Sequence, residues 1–374
     1  MQAWLLSLII VFVILQIFMI MFLFSYSVSI ERYTDNTIRV YRLNTALSTQ
    51  KVKVSMKLPV NFLDAINSSN IFTITETYND ANMIIFDSLN NIENILAKFV
   101  YPPSVNYIFA IKGTDNLASK VAFTNMLRGT AIIPKSYDVT NKESVHRLFQ
   151  DFHTTYIIKK NIQQQQGLRI IENTSDLKSA LSDKGYVVCQ ELLKDPMIVA
   201  RRKINIRIYL LVVMRNGGDP EFYMYDDGFM YYALREWDIT SIDSDVHITT
   251  GLQKDRSIYN YGPLTYQDLL KEDDKRGALL DTNIKSALSI VKSKYATYLK
   301  DMNTNIPITS FSLFGCDIAP SNSGSITIME VNKGPDLSYK DNRDGQIKKD
   351  MTMEMLKVVC RGHDEQNSRF KIIL

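Results

Sequence analysis

The 374-residue chain is 45% hydrophobic and 22% charged, an ordinary globular composition with length for one or two folded units beside a small anchor. A formal net charge of +3 is too small to point to nucleic acid as a partner. Cys189, Cys316 and Cys360 are far apart and odd in number, which argues against a disulfide framework or a thiolate metal site and fits a reducing compartment.

The predicted elements begin with residues 4–24, WLLSLIIVFVILQIFMIMFLF, a run without charge. As a helix rising 1.5 Å per residue it spans about 30 Å, the thickness of a bilayer's hydrocarbon core. The run predicts one transmembrane helix. A cleaved signal peptide is the rival reading, because Ser27 and Ser29 are small, but no Lys or Arg precedes the run. Arg32, Arg39, Arg42, Lys51 and Lys53 all follow it, so the positive-inside rule puts the remainder in the cytosol of a single-pass protein.

Residues 1–25 are therefore expected to be the anchor and 26–50 a polar stalk. Residues 51–151 are expected to form a smaller N-terminal α/β domain, with MIIFD at 83–87 and YIFAI at 107–111 as buried strands and 117–127 as a helix. From 152 to 374 the pattern changes. TYIIKK, YVVCQEL, NIRIYLLVVM, EFYMYDD, ITSFSLFGCDIA and SITIMEVN read as strands, the β-branched runs among them suggesting antiparallel pairing. Residues 281–299 carry Ile284, Leu288, Val291, Tyr295 and Leu299 at helical spacing.

The chemistry concentrates near the C-terminus. If FSLFGCDIAP and SITIMEVN are strands, Asp317 lies near the end of one, and Glu330 and Asn332 share a face of the next. Two carboxylates and an amide oxygen in one place form a hard-oxygen site suited to Mg²⁺ with substrate phosphates. Carboxylates in so apolar a run are costly to bury without a partner.

Taken with the segments before it, the stretch from Asp317 through Glu330-Val-Asn332-Lys-Gly-Pro-Asp-Leu resembles the metal-binding end of the tubulin tyrosine ligase-like family, of the ATP-grasp superfamily. Further segments match in the same order: Leu117-Ala-Ser-Lys120, Ile133-Pro-Lys-Ser-Tyr137, Tyr156-Ile-Ile-Lys159, Gln190-Glu191-Leu192, Arg202-Lys203-Ile-Asn205-Ile-Arg207, Tyr225-x-x-Gly228 and His247-Ile-Thr-Thr250, with Lys254 beyond. The likeness covers residues 105–345. It implies an α/β (α+β) ATP-grasp fold, ATP and Mg²⁺, and an amide-forming ligase that activates a protein carboxylate as an acylphosphate for attack by a free amino acid. On this likeness Lys120 and Lys159 neutralise phosphates, and Gly167 and Arg169 line the phosphate loop. The main chain of Gln190, Glu191 and Leu192 reads adenine from a hinge with Ile157 as a wall. Arg202, Lys203 and Arg207 count as site candidates, His247 and Lys254 hold the amino acid or acceptor carboxylate, and Asp317, Glu330 and Asn332 hold the metal. Strand alternation sets Arg202 and Arg207 on opposite faces, which favours Arg207.

The sequence also departs from the family pattern. Gly167 stands alone in its loop, with Arg169 where another glycine is common. Glu191 replaces a frequent lysine, Asn205 a frequent aspartate, and Tyr231 a common arginine. Tubulin is thus one candidate acceptor and no more, since the basic clusters Arg201-Arg202-Lys203 and Lys348-Lys349 are modest. Two other readings stand beside the leading one: a ligase making a small peptide-like molecule, and a catalytically silent, membrane-anchored ATP-binding or scaffold protein.

Overall fold

The computed structural model describes residues 38–43, 60–69, 72–75, 78–86, 92–161, 167–250, 256–272 and 274–374. The apolar run at 4–24 lies outside these residues, and among the described residues no helix is long and apolar enough to cross a membrane.

The strands, in chain order, are β1 Ile38–Leu43, β2 Phe72–Ile74, β3 Met83–Phe86, β4 Tyr107–Phe109, β5 Ser136–Asp138, β6 Tyr156–Lys160, β7 Leu168–Ile171, β8 Tyr186–Glu191, β9 Ile198–Val199, β10 Arg202–Met214, β11 Pro220–Ala233, β12 Thr249–Thr250, β13 Thr309–Pro320, β14 Ile326–Lys333 and β15 Phe370–Ile372. They form two sheets. The larger runs β12-β11-β10-β13-β4-β3-β1-β2, with β14 on β13, β15 on β11 and β9 on β10; the smaller is β5-β8-β6-β7.

β10 shows why the large sheet is stable. Its even-numbered residues Ile204 to Met214 are buried against the long helix Asp274–Asn303, in the core that holds Ile284, Leu288, Val291, Tyr295 and Leu299. Its odd residues Tyr209, Leu211 and Val213 pack in a second core with Met351, Met355 and Leu356 of the helix Asn342–Arg361. A strand covered on both faces reads as a continuous apolar run, which is why NIRIYLLVVM lacks alternation beyond Arg207. Pairing of β10 with β11 and β13, and of β13 with β14, is antiparallel as expected.

Four expectations need correction. Residues 38–43, assigned to a stalk, form β1 and pair in parallel with β2 and β3. The boundary at 151/152 also fails. β5 pairs with β8, and Leu148 of the helix Lys142–Gln150 packs in the small sheet's core, so residues 136–151 belong with the central unit. The N-terminal strands, for their part, are not a separate sheet, because β4 pairs in parallel with β13. The helix expected at 117–127 is two helices, Thr114–Ala118 and Lys120–Met126, separated by Ser119 in extended conformation. The Ser119 hydroxyl accepts from the Ala122 N–H and caps the second helix, which puts Lys120 at its first residue.

The β10–β11 ladder is irregular between Ile208 and Leu210, where Gly228 stands opposite Ile208. A Cβ on Gly228 would collide with the Arg207 carbonyl oxygen, and no side-chain rotation relieves a clash with backbone. Gly228→Ala is expected to destabilise the protein by roughly 3 kcal/mol, read as a lower denaturant midpoint at unchanged slope.

Candidate active site

The site forms where β10, β13 and β14 present polar side chains to the small sheet. Asp317 of β13 stands opposite Arg207 of β10 on one side and Glu330 of β14 on the other. The second pairing depends on an irregularity. Below it Ile318 pairs with Ile328, so an unbroken ladder would set Asp317 opposite Met329; one extra residue on β14 brings Glu330 there instead. Gly315 pairs with Asn332, which completes the expected trio on one face.

Arg207 binds Asp317 through two parallel hydrogen bonds, Nε to Oδ1 at 2.5 Å and Nη2 to Oδ2 at 3.0 Å. Its guanidinium also lies 5.3 Å from the centroid of the Tyr231 ring. Gly315 makes room for it, since a Cβ there would stand 2.9 Å from Arg207 Cδ and 3.0 Å from Nη1. Asn332 turns its amide N–H groups to Glu330 Oε1 at 3.1 Å and Asp317 Oδ2 at 3.4 Å. Lys120 Nζ is 3.5 Å from Glu330 Oε2.

Charge shapes the chemistry of each group. Burial would raise the Glu330 carboxyl, but Lys120 and Lys159 outweigh it and hold the pKa at about 2. Burial raises Asp317, opposed by Arg207. Lys159 is lowered by burial, against the pull of Glu330. Burial, with Lys159 adding, brings Lys203 down to about 8.

On the opposite wall, Lys159 of β6 and Val188 and Gln190 of β8 face Lys120, Met329, Glu330 and Val331 across a narrow crevice. The Gln190 amide donates to Ser136 Oγ at 2.9 Å, while its Oε1 is buried without a partner. His247 lies beyond β11. Its Nε2 is 2.6 Å from the Ser241 carbonyl oxygen, which only accepts, so the proton resides there and Nδ1 is a bare acceptor, buried and unpartnered. Burial lowers the His247 pKa, the hydrogen bond to the Ser241 carbonyl opposing and Lys203 adding.

Other sequence-predicted residues do not join the cluster. Arg202 sends its guanidinium to the carbonyl oxygens of Ala233 and Leu234, on the face away from Arg207. Arg169 pairs in register with Ile158, whose side chain packs in the small sheet's core, and it reaches Ser179 Oγ at 3.4 Å rather than the crevice. Glu191 likewise leaves the crevice, toward Tyr156 at 3.4 Å. The hinge is also changed: the Glu191 N–H donates to the Lys135 carbonyl at 2.9 Å and the Leu192 N–H to the Thr155 carbonyl at 3.0 Å, so neither is free to read a base. Gly167, at φ +77°, closes the β6–β7 hairpin, where a Cβ would meet the Lys160 side chain at 2.7 Å. The remainder of its loop, 162–166, and Lys254 lie outside the described residues. Of the modest basic clusters, Lys348 is buried and paired with Asp344 at 2.9 Å, which removes it as a docking cation.

Sequence reading missed Gly315 and Asn205 as site residues. Asn205 shares the strand face of Lys203 and Arg207, pairs across strands with Tyr231, and buries its Oδ1 without a partner. Strand parity from Arg207 is the signal that finds it.

The two carboxylates are hard-oxygen donors of the number Mg²⁺ uses, its other positions falling to phosphates and water, while Asn332 meets them through its N–H groups. Four cations, Lys120, Lys159, Lys203 and Arg207, gather with these two carboxylates and leave two positive charges in excess. That balance fits a magnesium-bound polyphosphate.

The two-sheet scaffold is a mixed α/β fold, consistent with that of the tubulin-tyrosine ligase family. The tubulin-tyrosine ligase family model matches residues 109–368, and the chain belongs to that family. It is 26% identical over 233 residues to tubulin polyglutamylase ttll-5 of Caenorhabditis elegans, covering 56% of this chain and 31% of that protein. It is 27% identical over 228 residues to probable tubulin polyglutamylase TTLL2 of Mus musculus, covering 56% and 40%. Against tubulin glycylase 3B of Drosophila melanogaster the identity is 21% over 258 residues, covering 62% and 33%. The chain thus matches less than half the length of each of these relatives.

Two predictions follow from the geometry. A Lys203 pKa near 8 means its positive charge is lost as pH rises through that value, so affinity for an anionic substrate is expected to fall between pH 7 and pH 9. Lys203→Arg should flatten that fall in a binding titration across pH, because guanidinium stays charged. Arg169→Ala is expected to change ATP affinity by less than about twofold, since its side chain points away from the crevice.

Proposed function

We propose that the protein is an ATP-dependent ligase that joins a free amino acid to a protein carboxylate through an acylphosphate. The observation that carries the reading is the gathering of Asp317, Glu330 and Asn332 opposite Lys159, with Lys120 bridging to Glu330. Asp317, Glu330 and Asn332 would hold Mg²⁺, which when bound neutralises charge on the transferred phosphoryl group. Lys120 and Lys159 draw the phosphates of ATP to that corner as flexible point charges. Gln190, with its unpartnered Oε1 at the crevice wall, accepts a hydrogen bond from the base.

In the first step an acceptor carboxylate oxygen attacks the γ-phosphorus, the bond to the bridging oxygen breaks, and ADP leaves. In the second the amine attacks the activated carbonyl, forming the amide as inorganic phosphate departs and the amine's proton passes to solvent or phosphate. Side chains do no covalent work; positioning and fixed positive charge supply the rate. Tubulin is an acceptor of relatives by their names and is a candidate here. The run at 4–24 is read as a membrane anchor with the ligase on the cytosolic side, a reading that rests on its uncharged length and the basic residues after it.

Glu330→Gln is nearly isosteric and is expected to lower ATP-dependent incorporation of labelled amino acids into lysate protein by roughly 100-fold or more with the unfolding midpoint kept. Incorporation at the wild-type rate would reject the metal assignment. Label confined to small molecules would replace the protein acceptor with a small one, and absence of ATP binding or consumption would reject the ligase reading.

A further inference from the structure

Next to the nucleotide crevice lies a second cavity that neither transfer step uses. It measures about 530 Å³, within the range of small-molecule sites, and sits between the loop 128–135, the start of β5 and the helix Lys142–Gln150. Ser144, Arg147 and Asp151 recur at three- and four-residue spacing, so one face of that helix and its C-cap line the cavity. Arg128 and Lys135 come from the loop, and Ala131, Ile133 and Pro134 supply an apolar strip.

The charges here do not cancel. Asp151 is the lining carboxylate, and it is already held by Lys135 at 3.1 Å and the Tyr137 hydroxyl at 2.6 Å. Arg128 reaches the neutral amide oxygen of Asn125 at 2.5 Å, and the Arg147 guanidinium has no side-chain partner among the described residues. Two guanidiniums thus line one cavity with no carboxylate for either. A single carboxylate entering there would leave one of them unanswered. A phosphate monoester brings nearly two negative charges at neutral pH and three acceptor oxygens, a match for two planar forks. The cavity also touches the crevice. Thr124 lines both, and Ser136, which lines this one, accepts from the Gln190 amide at 2.9 Å and donates to the Pro134 carbonyl at 2.6 Å.

We infer that this cavity is a second binding site, for a small phosphate monoester, and that its occupancy tightens nucleotide binding in the crevice. Arg128 and Arg147 hold the phosphoryl oxygens, and Ile133 with Pro134 carries the organic part of the ester. An occupant joining Arg128 of the loop to Arg147 of the helix fixes the chain between them, Ser136 included. Gln190 is then held with its amide on Ser136 and its Oε1 toward the base. The site itself stands without the ligase reading; its effect on the nucleotide rests on that reading.

The test is calorimetric titration of the full chain with glycerol 3-phosphate, the crevice filled beforehand with Mg²⁺ and a non-hydrolysable ATP analogue. Glycerol 3-phosphate is expected to bind at least about tenfold more tightly than glycerate, its carboxylate counterpart. Arg147→Ala, at an exposed position, should weaken glycerol 3-phosphate about tenfold or more while the ATP analogue alone binds as before. In the reverse titration, glycerol 3-phosphate should tighten the ATP analogue about fivefold, and Ser136→Ala should remove that gain while glycerol 3-phosphate still binds. Absence of glycerol 3-phosphate binding overturns the inference, as does equal binding of glycerate or an affinity that Arg147→Ala leaves unchanged. An ATP analogue indifferent to glycerol 3-phosphate overturns the link to the crevice. Failure of the analogue to bind at all counts against the ligase reading, whereas glycerol 3-phosphate binding that is lost in Arg147→Ala upholds the site on its own.

Discussion

The bidentate contact between Arg207 and Asp317 is the constraint on which the site depends. Both groups are nearly enclosed, and both sit on strands buried on their two faces. A carboxylate in such a place persists only with a partner, because removing one member of a buried pair leaves an uncompensated charge costing about 3–5 kcal/mol. The pair therefore fixes Asp317 relative to β10. From there the single extra residue on β14 fixes Glu330, and Glu330 in turn orients Lys120 and Asn332. Gly315 belongs to the same chain of dependence, since the Arg207 side chain lies where any larger residue would extend.

Around that pair the charges divide the labour. Glu330 is held far below the usual carboxylate range by two lysines, so it stays anionic throughout physiological pH. The lysines experience the reverse: desolvation lowers Lys159 and Lys203, and each is strengthened by any anion that enters. Such an arrangement binds polyphosphate more firmly than it binds bulk anions, because the same low dielectric that penalises the free ammonium amplifies its attraction to a bound phosphate.

Much of this was legible in the sequence, and the reasons differ by element. The strands carrying Arg207, Asp317 and Glu330 announced themselves because a doubly covered strand must be apolar along its length, so its charged exceptions stand out. The helix bearing Ile284 to Leu299 was equally plain, its apolar positions recurring every turn and all five fully buried. The opposite faces of Arg202 and Arg207 followed from strand alternation and hold in the fold. What escaped depends on tertiary neighbours. Arg169 was placed at the phosphates by likeness of its loop, but β7 is a true strand and its parity turns that side chain outward. The hinge N–H groups lay beyond reach of reading, since what consumes them is the backbone at Lys135 and Thr155, remote in sequence. The domain boundary slipped for a similar reason: short β5 has too few residues to show a period, yet its pairing with β8 decides where the unit starts.

The parallel pairing of β4 with β13 joins the first part of the chain to nearly its last strands. A nascent chain leaving the ribosome from its N-terminus therefore holds β1 to β4 with an unsatisfied edge until residues 309 and 310 emerge. Long-range parallel contacts of this sort close slowly, and an exposed β4 edge invites pairing with other chains in the interval. Completion of β13 is thus the event that covers the β4 edge, and a chain ending before it would leave that edge open to pairing with other chains.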